Sequence, residues 1–275
     1  MKSLFKFSDR KPLLFVIVLF ISWIILTSIA GLLIGALLSK PLADPLIQSI
    51  GTLIATLILL WLAYRLGWIN NIGITRFGKI STWAIALIIL IIVLIVDFFA
   101  FFGEVSFPIQ SLLEQEAWIT ILQGLRTGFV EETVFRGIIL FVLFRAWEKK
   151  RMGAVLAICV QAVIFAFPHL LQILAGLDLM SSLSNVLATL VFGLWVGSLV
   201  MIIGTLWPAI FLHAFLNALT LIKGFSSTWI TPNYLGYLRS AVFELPLVIV
   251  GLWMVVRLQR KRIENPEVKE SNVNI

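Results

Sequence analysis

Four ionisable side chains crowd one apolar stretch: Arg126, Glu131, Glu132 and Arg136. Glu132 and Arg136 are four residues apart, so on a helix they share a face and can form an ion pair. Glu131 points about 100° away from Glu132 around such a helix and has no local partner of that kind. An unpaired acid at bilayer depth needs a proton, a histidine, a metal or water. The chain has two histidines, His169 at the end of Phe165-Ala166-Phe167-Pro168-His169 and His213 at the start of His213-Ala214-Phe215-Leu216-Asn217. Asn217 follows His213 by one helical turn and shares its face. These residue types suit hydrolysis. A buried glutamate can act as general base near neutral pH, and an imidazole beside it can hold or polarise the same water. A second histidine and an amide can donate to a developing oxyanion. One glutamate and two histidines could instead form a three-ligand zinc site with an open position. There is no His-Glu-x-x-His segment, so the common zincin signature is absent.

Such groups converge only if the helices carrying them enclose one site, and the composition states which helices those are. The chain has 275 residues, 60% hydrophobic and 13% charged, with a mean hydropathy of +1.05. Soluble domains carry roughly 25% charged residues, so this chain lacks the charge for a water-facing surface. A soluble enzyme and a disordered chain are excluded. Continuous apolar runs also argue against an outer-membrane barrel, whose strands alternate. A helix needs about 20 apolar residues to span a bilayer. That ruler predicts an all-α polytopic bundle of eight spans, over 13–38, 46–66, 82–102, 118–146, 153–175, 184–203, 206–222 and 240–258. Residues 1–258 then form one transmembrane domain, and 259–275 a polar, disordered cytoplasmic tail.

Charge sets the expected orientation. With the N-terminus inside, sixteen of the 21 basic residues fall on the cytoplasmic side, and three (Lys40, Lys223 and Arg239) on the other. The positive-inside rule therefore predicts both termini in the cytoplasm, in the plasma membrane if the source is bacterial. The net charge of +7 is accounted for by these loops and calls for no nucleic acid. The first apolar run is too long for the core of a signal peptide and is expected to be a retained helix. The pairs Gly31/Gly35, Gly124/Gly128 and Gly193/Gly197 have the spacing for close helix contact, expected inside the molecule rather than at a dimer interface. Cys159 is expected to be a small core residue. Residues 103–118, with Glu104, Glu114 and Glu116, are expected to form an outer loop with an interfacial amphipathic piece. Asp97, in the third span, either lines the cavity or reaches the outer interface.

Three motifs in order on separate spans, Glu131-Glu132-x-x-x-Arg136, Phe165-x-x-x-His169 and His213-x-x-x-Asn217, resemble those of the CPBP family of intramembrane proteases. That family includes the type II CAAX prenyl endopeptidases and bacterial relatives associated with bacteriocin self-immunity. The resemblance covers 118–221. It implies that Glu131 is the general base, that His169 positions the water, that His213 and Asn217 stabilise the oxyanion, and that Glu132 and Arg136 orient the site. It also implies a membrane protein or peptide as substrate. Two other classes remain: a noncatalytic membrane factor of immunity or chaperone type that keeps the motif for structure, and an ion or proton transporter. Transport would favour inverted repeats, which the sequence does not display. One difficulty is depth. At about 1.5 Å per residue, His213 sits nearer the cytoplasmic end than His169, so uneven helices must bring the two level.

Overall fold

A computed structural model of the chain describes residues 2–42, 44–101, 115–224 and 234–264, and their regular structure is entirely helical. In chain order the helices are α1 (Lys2–Arg10), α2 (Pro12–Leu38), α3 (Pro45–Arg65), α4 (Ile80–Phe101) and α5 (Gln115–Glu131). A π-helical segment (Glu132–Ile139) leads into α6 (Leu140–Trp147). Then come α7 (Gly153–Ala166), a 3₁₀ segment (Phe167–Ala175), α8 (Leu179–Ile203), α9 (Trp207–Gly224) and α10 (Tyr234–Glu264). Five helical stretches, Pro12–Leu38, Pro45–Arg65, Gly153–Leu174, Leu179–Ile203 and Tyr234–Glu264, are long and apolar enough to cross a membrane. They make the chain an integral membrane protein, and α4 adds a shorter apolar run over Ile80–Val93. α10 begins before the expected boundary and continues to Glu264, well past residue 258. The remainder of the tail, 265–275, and residues 103–114 of the expected outer loop lie outside the described residues, as does the side chain of Asp97, while the last residues of that expected loop, from Gln115, belong to α5.

Local chemistry fixes where the helices begin. Asp44 caps α3 by accepting from the Leu46 and Ile47 amides at 2.8 and 3.4 Å, and Pro45 supplies a pre-set φ at the first turn. Asp178 caps α8 in the same way, accepting from the Ser181 amide at 2.9 Å. Apolar side chains cover the outside: Leu37 is 79% exposed and Ile249 68%. In water such a surface would aggregate; against acyl chains it is the appropriate solvent face.

Because lipid is as apolar as leucine, burial does not drive these helices together, and close packing of small residues has to. All three spaced glycine pairs meet another helix of the same chain. A Cβ on Gly193 would sit 2.9 Å from Ala162 Cβ, joining α8 to α7. The hairpin of α2 and α3 closes over Gly31 and Gly35, where a Cβ on Gly35 would lie 2.7 Å from the Lys40 carbonyl. On α5, a Cβ at Gly124 would fall 2.7 Å from the Ala218 amide nitrogen, and one at Gly128 2.6 Å from that of Ala214. The backbones of α5 and α9 therefore touch, which brings Glu131 and Glu132 level with His213.

The same contact resolves the depth difficulty. α8 ends at Gly204, whose φ of 71° is the left-handed turn, and Thr205 and Leu206 before α9 are buried. The 66–79 loop folds over this corner: the Leu206 amide donates to the Gly73 carbonyl at 3.1 Å, Trp207 Nε1 donates to the Ile74 carbonyl at 2.9 Å, and the Thr205 hydroxyl donates to the Arg76 carbonyl. α9 thus starts inside the protein rather than at its edge, and six residues later His213 is already buried.

Replacing Gly128 by leucine should force α5 from α9. The expected result is a loss of about 1–3 kcal/mol, read as a lower unfolding midpoint in detergent, while Leu33→Phe on the outer face of α2 should leave that midpoint unchanged.

Candidate active site

The motif Glu131–Arg136 straddles the change from α-helix to π-helix. Glu131 closes α5, and from Glu132 the backbone bonds lengthen to five residues, as in the Leu140 amide donating to the Phe135 carbonyl. Wider turns of this kind recur at functional sites because they re-aim side chains that a regular helix would hold elsewhere. Here they turn Glu132, Thr133, Val134, Phe135 and Arg136 all inward, and every one is buried.

Glu132 is the hub. Its Oε1 lies 2.9 Å from Arg136 Nη1, with both side chains fully removed from solvent. The same oxygen lies 2.7 Å from His213 Nδ1. A carboxylate held against a guanidinium can only accept, so Nδ1 carries the proton and donates to Glu132. The other ring nitrogen, Nε2, faces Glu131, 3.7 Å from Oε2. That gap is just beyond direct hydrogen-bond range and is one that a water touching both groups can serve. Glu131 is the more open acid, with 26% of its side chain exposed against none for Glu132. The neighbouring carboxylates divide accordingly: one is locked into structure, the other faces accessible space.

Two aromatic rings floor the cluster. Arg136 Cζ lies 4.0 Å from the Phe165 ring centre and 5.5 Å from that of Phe192, distances that favour a cation over a π-face. Phe165 also packs on both imidazoles, at 5.7 Å from His169 and 6.2 Å from His213, and Phe192 meets His213 at 4.9 Å. His169 stands in the 3₁₀ segment just after Pro168, within electrostatic range of Glu131 and His213. Arg126 reaches α3, donating to Thr52 Oγ1 at 2.8 Å, within electrostatic range of Glu131.

The structure thus joins Glu131, Glu132, Arg136 and His213 in one contiguous group, with His169 connected through Phe165. Asn217 stands half-buried one turn beyond His213 on α9. Among the described residues no group of three His, Cys, Asp or Glu side chains is spaced to hold a metal ion. A narrow cavity of about 10 Å³ touches Arg136 and is lined also by Asn71, Gly73 and Gly204, on the side of the 66–79 loop. That is room for about one water.

Three features escaped the sequence reading. The Glu132–His213 bond has no signature in either motif taken separately, since its partners are 81 residues apart. Phe165 stood in the second motif without a role, although its spacing of four from His169 was a usable signal. Glu244, buried in α10, accepts from Trp195 Nε1 at 2.7 Å and from Ser240 at 3.1 Å; an acid inside an apolar run was the available clue.

Fold and site together define a polytopic helical membrane protein built around a buried acid–histidine–arginine cluster. Residues 113–219 match the family model described as type II CAAX prenyl endopeptidase Rce1-like, and that segment holds all three motifs. The resemblance drawn from the motifs is therefore matched by the family's own pattern. Searches of curated proteins and of solved structures gave no match.

Glu132→Gln and Arg136→Gln each leave the other charge buried without a counter-ion, a loss of roughly 3–5 kcal/mol. Folded yield after detergent extraction and the unfolding midpoint should both drop. His213→Ala, which leaves the Glu132–Arg136 pair in place, should lower them much less.

Proposed function

We propose that the protein is an intramembrane endopeptidase that hydrolyses a peptide bond of a membrane-associated protein or peptide, with eight helices crossing the bilayer around an enclosed polar site and both termini in the cytoplasm. The observation that carries the reading is the division of labour between adjacent acids: Glu132 is committed to Arg136 and His213, which leaves Glu131 facing His213 Nε2 at 3.7 Å, close enough for one water beside them to reach both. The family match over the same segment supports a peptidase of the CAAX type.

In the proposed reaction Glu131 takes a proton from water as the oxygen attacks the scissile carbonyl. The proton then passes from Glu131 to the departing amine nitrogen, which balances the step. His169 holds the attacking water on the side opposite His213. Asn217 and His213 steady the oxyanion; because Nδ1 already donates to Glu132, His213 serves this role when Nε2 is protonated as well. Glu132 and Arg136 touch no substrate in this scheme and act by fixing the ring of His213. The approach is from the cytoplasmic side, where the 66–79 loop and the 145–151 turn carry basic residues that suit a substrate with a membrane-bound end.

Purified protein tested on a library of membrane-anchored peptides, prenylated and unprenylated, provides the experiment. Glu131→Gln, His169→Ala and His213→Ala should each reduce cleavage by about 10²-fold or more, the scale of general acid–base catalysis, and Glu131→Gln should keep wild-type yield and unfolding midpoint. Undiminished cleavage or biological activity in Glu131→Gln would overturn the enzyme reading in favour of a noncatalytic membrane factor. Cleavage abolished by chelator and restored by zinc would replace metal-free water activation with a zinc-bound water.

A further inference from the structure

A second cavity, of about 260 Å³ and half-open, lies where the ends of α6 and α10 meet α7 and α8. Its walls are apolar, including Phe144, Met201, Val255 and Leu258, and its rim carries Lys149, Arg262 and one acid, Glu148. Gln259 forms part of the lining, but its amide is already engaged. It accepts from the Ala154 amide at 3.1 Å and donates to the Lys150 and Glu148 carbonyls at 2.6 and 3.3 Å. Those bonds staple α10 to the α6–α7 turn and hold the cavity open in a fixed shape. Polar recognition is thus left to Lys149, Arg262 and Glu148 on the rim, where cations outnumber the acid.

The surrounding charge is predominantly basic. Lys149, Lys150 and Arg151 on the turn and Arg257, Arg260, Lys261 and Arg262 on α10 face only Glu148 and Glu264 in the same two segments. An apolar slot beneath a basic rim, at the level where apolar helices give way to polar loops, has the chemistry of an amphiphile with an anionic head. A free phosphate would use the rim and leave the walls wet; a zwitterionic lipid would set its own cation against Lys149 and Arg262. Basic pockets between helix ends on the positive side bind anionic headgroups for these reasons. We propose that this cavity is a binding site for an anionic phospholipid, with the phosphate between Lys149 and Arg262 and the glycerol and first methylenes against Phe144, Val255 and Leu258. Met201 lines this cavity and also borders the narrow one that touches Arg136, so a bound lipid bears on the side chain behind the buried ion pair. The inference rests on the membrane placement of the chain and not on the peptidase reading.

The test is a titration of the full chain in neutral detergent, following the unfolding midpoint with added dioleoyl phosphatidylglycerol, dioleoyl phosphatidylcholine or glycerol 3-phosphate. Phosphatidylglycerol should raise the midpoint saturably, and the other two should not. Lys149→Gln and Arg262→Gln should each weaken its apparent binding about fivefold, with Arg262→Lys retaining it. Leu258→Trp, which fills the slot without touching charge, should abolish the shift, and Arg10→Gln, a basic change elsewhere on the surface, should not alter it. An equal shift with phosphatidylcholine or with glycerol 3-phosphate would overturn the proposal. So would unchanged binding in Lys149→Gln, Arg262→Gln or Leu258→Trp, or weakening in Arg10→Gln as large as in Lys149→Gln.

Discussion

A carboxylate and a guanidinium with no exposed surface can persist in an apolar bundle only if each finds the other and further dipoles complete the set. Glu132 and Arg136 draw on partners outside their own helix: His213 donates to the shared carboxylate oxygen, and Phe165 and Phe192 present their faces to the guanidinium, while Glu132 Oε2 and Arg136 Nε and Nη2 have no hydrogen-bond partner among the described residues. The pair therefore ties four segments, the π-helical segment, α7, α8 and α9, to one point. Separately each motif residue is an expense at bilayer depth; together they specify a single arrangement of the bundle.

Backbone proximity makes that arrangement attainable. Gly124 and Gly128 on α5 face Ala218 and Ala214 on α9, and side chains as short as Glu132 and His213 meet because nothing larger separates the helices. The buried corner at Thr205 and Leu206, held by the Gly73 and Arg76 carbonyls, sets the level from which α9 starts. The 66–79 loop, which carries no motif, thereby positions a motif residue at a distance. The π-helical turn makes the last adjustment, turning Glu132 fully inward while Glu131, one residue before it, keeps access to space.

Much of this was legible in the sequence. Apolar runs of spanning length announced the helices, the four-residue spacing announced the Glu132–Arg136 pair, and the glycine pairs announced internal contacts because small residues are the means by which membrane helices approach. What was not legible depended on distance along the chain or on helix type. A regular helix leaves Glu131 and Glu132 as two independent acids, and only the contact of α5 with α9 reveals that one of them is tied to His213. The number of crossings is read less directly, since the 118–146 stretch carries five charges and changes helical type within its length. Glu244 was passed over because it belongs to none of the three motifs, and its bond to Trp195 crosses from α10 to α8.

The account turns on the orientation of one ring, and the two-histidine content of the chain makes that ring observable. Protein labelled with ¹⁵N in histidine alone yields two imidazole spin systems, with His213→Ala identifying which is which. For His213 the account predicts a protonated Nδ1 whose proton is strongly deshielded by the Glu132 carboxylate and loses that deshielding in a Glu132→Ala protein stable enough to label. An unprotonated Nδ1, or an Nδ1 proton indifferent to the loss of Glu132, would contradict it.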